Sequence, residues 1–228
     1  MVNLIIIAVI VAVYASAMSP QLRTVLGISS GDEKPLYSGP AVPYVAIQCN
    51  VYSGGEYIEG MLEVLSQYDV KITWNLGGIW VDDNPELAKK IADAGHEIGN
   101  HGYLHKNHSG LTFDQNIAEI QKAEDAIYKA TGKKTVIFAP PSGDYNGTTV
   151  KAAKSLGYVS VMWTADLIDW RDQDAELFLK RTDKLEAGGM LLSHPTAATL
   201  ETLPRILDLI EQKGFSVVPV GQLLAMED

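Results

Sequence analysis

From Tyr44 onward, short apolar or β-branched runs alternate with longer stretches in which apolar residues recur at helical spacing, and polar or glycine-rich patches separate them. Such alternation predicts a parallel sheet covered by helices. Tyr44 to Cys49 is the first expected strand, followed by a helix from about Ile58 to Tyr68. Val70 to Trp74 is the second, followed by a helix opened by Asn84-Pro85-Glu86 and closed at Gly95. His96 to Gly99 is the third. Its helix begins near Thr112, which with Gln115 fits a capping box, and ends at Gly132. Thr135 to Phe138, Tyr158 to Trp163, Gly189 to Ser193 and Phe215 to Pro219 complete the set. The intervening helices are expected at about Thr148 to Leu156, Asp174 to Asp183 and Leu200 to Lys213, with a short helix closing the domain.

Seven strand–helix units thus fit in about 185 residues, where a regular eight-unit barrel takes about 250. The expected fold class is therefore α/β, an irregular, incompletely closed (β/α)7 barrel. A doubly wound open sheet is the competitor, because local pattern does not show closure.

The start of the chain has a different texture. Leu4 to Ala17 is almost unbroken apolar sequence, short for a membrane span of about 20 residues but suited to a secretory signal, and Ala15-Ser16-Ala17 offers small residues for cleavage. No lysine or arginine precedes it, so residues 1–20 are read as a signal peptide or a retained anchor, with the remainder outside the cytoplasmic membrane. Residues 21–43, rich in Gly, Ser and Pro, read as a linker, and 44–228 as one domain.

A net charge of −10 and the absence of a basic run argue against nucleic acid or anionic-lipid partners, leaving the N-terminal segment as the only membrane contact expected. A single cysteine, Cys49, excludes an internal disulfide framework and a cysteine-built zinc site; it reads as small packing filler.

The chemistry concentrates in one place. Four of the five histidines fall between His96 and His108. His101 and His105 are four apart, so their imidazoles face one metal ion if the segment turns helically. The polar residues worth naming follow the carboxyl ends of successive expected strands: Asn50, then His101 and His105, then Pro140 to Asp144, then Asp166 and Asp169, then His194. In a parallel barrel those ends converge on one face, where the active site of such enzymes sits.

With these segments in view, the chain resembles the polysaccharide deacetylase family, the NodB-homology carbohydrate esterases that remove acetyl groups from chitin-like glycans and peptidoglycan. Gly95-His96-Glu97-Ile98-Gly99-Asn100-His101 through His105 is similar to the family's metal-binding motif. Phe138-Ala139-Pro140-Pro141-Ser142-Gly143 is similar to its arginine-proline-proline-tyrosine-glycine segment. Trp163 to Trp170 and Leu191-Leu192-Ser193-His194 match its aspartate-tryptophan and leucine-histidine motifs.

The resemblance implies a divalent metal, zinc foremost, held by His101 and His105. It implies His194 as the acid tuned by Asp166, and an acetylated glycan contacted by Pro140, Pro141, Ser142, Asp169 and Trp170. Trp74 is placed with that group, the apolar core being the alternative for it and for Trp163.

The family's first motif, threonine-phenylalanine-aspartate-aspartate-glycine, falls on Gln48-Cys49-Asn50-Val51-Tyr52. Asn50 therefore stands where the resemblance puts the catalytic base and Val51 where it puts the third metal ligand. A carboxamide does not take a proton from water near neutral pH, and an isopropyl group does not bind a cation. The family arginine beside the base is Ala139 here. Two readings follow. One is a weakened metal-dependent amide hydrolase in which His108, Asp144 or water replaces the lost ligand and the metal is loosely held. The other is an inactive envelope protein that keeps the groove to bind glycan or a partner.

Overall fold

The computed structural model describes residues 34–227; the apolar leader and the first part of the expected linker lie outside the described residues. Among the described residues no helix is long and apolar enough to cross a membrane. The strands are β1 (Tyr44–Val51), β2 (Thr73–Leu76), β3 (Glu97–Asn100), β4 (Ile137–Phe138), β5 (Val159–Ser160), β6 (Ala165–Asp166), β7 (Met190–Ser193) and β8 (Ser216–Val218). The helices are α1 (Gly55–Gln67), α2 (Gly78–Asp83), α3 (Pro85–Asp93), α4 (Phe113–Thr131), α5 (Gly147–Ser155), α6 (Ala175–Thr182), α7 (Ala197–Gln212) and α8 (Val220–Leu224).

All strand pairings within the sheet are parallel, in the order β5-β4-β3-β2-β1-β7-β6, with β8 also on β1. The result is an open half-barrel wrapped by helices, the incompletely closed barrel that the alternating pattern predicts.

Alternation along β1 divides the interior. Val45, Ile47, Cys49 and Val51 pack outward into the main core with Ile58, Met61 and Leu65 of α1 and Leu203, Ile206 and Ile210 of α7. Each such side chain contributes about 1.5–3 kcal/mol when fully buried. Ala46 faces the other way, into a plug with Ile137, Val159, Met190, Val220 and Leu223 that fills the barrel at its amino end. Above it on the same face come Gln48 and Asn50, both buried and polar. The barrel interior thus changes from apolar to polar toward its carboxyl rim.

The bottom is sealed by α8. Thr73 Oγ1 accepts from the Val220 N–H at 2.8 Å and donates to Glu97 at 2.5 Å, and Glu97 accepts from the Gly221 N–H at 3.0 Å.

Four expectations change. An eighth strand exists, because Tyr158 to Trp163 does not run as one element: β5 ends at Ser160, and Ala165–Asp166 forms a separate two-residue strand on β7. The second strand begins at Thr73 rather than Val70, since Asp69 takes a left-handed turn (φ 53°) and the Val70 N–H closes α1 on the Leu65 carbonyl. That shift places Trp74 mid-strand, fully buried in the main core, so it is not a glycan contact. The glycine-rich Gly77-Gly78 opens a helix, α2, which the polar pattern hid. Finally, part of the expected linker is laid on the barrel: Leu36 bridges to Val161 and Ser38 to Gly189.

Candidate functional site

β3 delivers His101. The Asn100 side chain just before it is locked by donating to the Ile120 carbonyl at 2.9 Å and accepting from the Gly102 N–H at 2.9 Å. His101 Nδ1 lies 2.7 Å from the Ala139 carbonyl and must donate to it, because a carbonyl only accepts; Nε2 is left as the acceptor. The loop from Gly102 to His105 is not helical. It is pinned where the α2 N–H groups of Gly78 and Ile79 donate to the Gly102 and Tyr103 carbonyls, and where the Leu104 N–H donates to Glu119. His105 takes a left-handed backbone (φ 52°), which turns its ring toward His101, with centroids 5.1 Å apart. The two imidazoles meet as the spacing predicts, but through a turn rather than a helix.

His194 follows β7. Its own N–H donates to Asp169 at 2.7 Å, its Nδ1 lies 2.7 Å from the other Asp169 oxygen, and Thr199 donates to the same carboxylate at 2.6 Å. Asp169, fully buried and absent from the cleft lining, is therefore not the glycan contact that the resemblance implied; it holds His194. The resemblance gave that role to Asp166; this is corrected, because Asp166 spends one oxygen on the Ile168 N–H at 2.8 Å instead. Burial raises the Asp166 pKa, opposed by that hydrogen bond and by His194. The left-handed turn at Ile168 (φ 53°) carries Asp169 inward and Asp166 to the cleft.

Asn50, Tyr52, His101, His105, Ser142, Gly143, Trp163, Asp166, Trp170 and His194 converge on one cleft of about 580 Å³. A cleft of about 650 Å³ elsewhere, along Glu56, Asp83 and Glu86, contains none of the candidate residues and has no part in this chemistry. Pro140 and Pro141 do not line the site. Both are buried behind its wall, Pro141 against Gly102, and they present Ser142 and Gly143 in left-handed conformations. Among the lining residues not named as candidates, two matter most. Trp163 stands at the wall, partly buried against the apolar plug, and Tyr52 lays its ring on His105 with centroids 4.3 Å apart. The signal for Tyr52 was present, since it occupies the glycine position of the first motif.

The residues do not make a three-ligand metal centre. Asn50 Oδ1 already accepts from Asn75 at 2.8 Å, and Val51 is buried in the apolar core. His108 is buried behind the site, its Nδ1 on Asn116 at 2.7 Å and its ring on Phe138. Asp144 accepts from the Ser109 N–H and hydroxyl at 2.7 and 2.8 Å. Neither supplies the missing ligand, and among the described residues no group of three His, Cys, Asp or Glu side chains is placed to hold an ion.

Burial also fixes protonation. It lowers the pKa of His101 to about 3, with the neighbouring His105 adding to the effect, and that of His96 to about 4; His105 and His108 are lowered as well. Groups whose folded pKa is depressed stabilise the fold fully above their unfolded value of 6.5 and lose that contribution as pH falls toward the folded values. The melting temperature should therefore decline between about pH 6.5 and pH 4. A scan showing a flat profile over that interval would contradict the burial of these rings.

A parallel half-barrel with imidazoles and an aspartate-held histidine around its carboxyl rim is the architecture of carbohydrate esterases that act on polysaccharides. The chain belongs to the polysaccharide deacetylase family, whose model matches residues 45–161. It is 38% identical over 206 residues to the protein YlxY of Bacillus subtilis, covering 90% of this chain and 65% of that one. It is 36% identical over 181 residues to the peptidoglycan-N-acetylmuramic acid deacetylase PdaA of Bacillus subtilis, covering 77% and 68%. The chain thus spans about two thirds of the length of these relatives. Among solved structures, a CE4 family pseudoenzyme from Bacillus anthracis is similar at a TM-score of 0.83 and 37% identity, covering 85% of this chain and 70% of that one.

Proposed function

We propose that this protein binds acetylated, peptidoglycan-like glycan in the cleft without hydrolysing it, outside the cytoplasmic membrane. One observation carries the reading: at positions 50 and 51 an amide already engaged with Asn75 and a buried isopropyl group replace two carboxylates, and among the described residues no nearby side chain compensates. Family deacetylases depend on a metal; here two imidazoles without a carboxylate would hold zinc only weakly. What persists suits sugar binding, with Trp170 64% exposed and Tyr52 50% exposed, two rings whose flat faces suit a pyranose. The similarity to a pseudoenzyme of the same fold supports this, as does the similarity to PdaA for the glycan class. The apolar leader, Leu4 to Ala17, is the reason for the location.

Slow hydrolysis is the second reading, favoured by the Asp169-held His194, since losing a base lowers rate by about 10² to 10⁴ rather than abolishing it. The two are separated by offering zinc-loaded protein acetylated chitooligosaccharide and peptidoglycan fragments. Binding without acetate release is expected, with Trp170→Ala weakening affinity by about tenfold, the scale of one lost aromatic contact. Acetate release abolished by His194→Ala would replace the first reading with the second.

A further inference from the structure

Beneath the cleft, a run of side-chain amides is oriented by a single backbone carbonyl. The Met162 carbonyl can only accept, so the Gln48 group 2.6 Å from it must be Nε2. Gln48 Oε1 is then the end that meets Asn75 at 3.0 Å, so Asn75 must present Nδ2. The second hydrogen of that Nδ2 goes to Asn50 at 2.8 Å, so Asn50 must turn Oδ1 inward and Nδ2 toward the cleft it lines. Asn50, Asn75 and Gly99 are cross-strand neighbours, and a Cβ at Gly99 would lie 2.1 Å from Asn75 Oδ1, so only glycine there admits the amide. An amide whose two ends are otherwise interchangeable is given one orientation. His101, on the far side of β2, offers the opposite polarity: its Nδ1 is committed to Ala139, which leaves the Nε2 lone pair on the edge facing the cleft.

We infer that Asn50 Nδ2 and His101 Nε2 form a fixed donor–acceptor pair that recognises an intact acetamido group, with Gln48 and Asn75 as the positioning residues that set its polarity. The inference rests on the glycan-binding reading and deepens it. A secondary amide carries its C=O and N–H on opposite sides, and β1 and β3 stand two strand spacings apart, about 9.5 Å, with room for one planar amide between the groups they carry. The acetamido carbonyl accepts from Asn50, and its N–H donates to His101. An acetyl ester has no N–H and leaves the His101 acceptor unpaired. A free amino sugar presents an ammonium, which still donates to His101 but supplies no acceptor and leaves the Asn50 donor unpaired. Leaving a buried polar group unpaired is the penalty by which such a site rejects the wrong ligand.

The test is titration of the full chain, in EDTA, with tri-N-acetylchitotriose and with its deacetylated trimer. With a net charge of −10 the protein attracts the cationic trimer, so a preference for the neutral one runs against bulk electrostatics. At least about tenfold tighter binding of the acetylated trimer is expected, the scale of one unpaired buried polar group. The Asn50 side-chain amide resonance should shift with that ligand and not with the other. Asn50→Asp, which keeps the Asn75 bond but turns the donor into an acceptor, should erase the preference. Gln48→Leu, which frees the relay to flip, should reduce it; should that variant fail to fold, Asn50→Asp and the amide resonance decide alone. Equal affinity for both trimers overturns this inference and leaves glycan binding standing. Failure to bind either trimer removes both.

Discussion

Asn50→Asp combined with Val51→Asp should turn a protein that loses zinc on dialysis into one that retains about one equivalent and releases acetate from acetylated glycan. The rim already supplies His101 and His105 at 5.1 Å between centroids, and His194 held by Asp169. A carboxylate at position 50 keeps its bond from Asn75 and gains the ability to take a proton from water. A carboxylate at position 51 completes a two-histidine, one-carboxylate set of the kind that catalytic zinc sites use once the end of β1 turns it out of the apolar core that Val51 occupies and toward His101 and His105. Val51 is fully buried, so without metal that charge is uncompensated, at a cost of about 3–5 kcal/mol. The double variant should therefore melt well below the parent without zinc and recover in its presence, since a ligand that binds only the folded state stabilises it. Parent melting temperature should be nearly indifferent to zinc. Metal content after dialysis and melting with and without zinc check this; a double variant that retains no zinc would overturn it.

Asp169→Ala should lower stability by about 3–4 kcal/mol, because three donors converge on that buried carboxylate and all three lose their acceptor. Thr199 lies in the first turn of α7, so the helix start and His194 loosen together, and glycan affinity should fall with them. Asp166→Ala should lower stability by less than about 1 kcal/mol, since its half-buried carboxylate accepts one backbone N–H. Chemical denaturation of both variants checks the contrast. Similar losses would return to Asp166 the role that the structure gives to Asp169.

The phase of the chain explains what was legible. His101 and His194 each follow a strand end directly, and a residue one or two past a parallel strand reaches the rim whatever the exact strand length, while His105, Asp169 and Trp170 come three to five residues past theirs and are placed by the loops. Trp74 fails by the same logic: moving the strand start from Val70 to Thr73 takes the residue from rim to core. Which aspartate faces His194 was not legible, because a single left-handed residue, Ile168, exchanges the directions of positions 166 and 169. A β-branched residue rarely takes that conformation, so nothing local announces it. The strand at Ala165–Asp166 is too short to leave a periodic trace. The amide relay lay hidden for another reason: Gln48, Asn75 and Met162 are far apart in sequence, and only the closed sheet brings them within hydrogen-bond reach.

β1 sits at the centre of the sheet, between β2 on one side and β7 and β8 on the other. The strand that leads the domain in sequence thus waits for partners about 145 and 170 residues downstream. During synthesis its open edge, flanked by apolar residues, has only β2 to cover it, which exposes the nascent chain to association with its neighbours. Folding should be slow for a domain of this size, governed by how soon the tail arrives to complete what the head began.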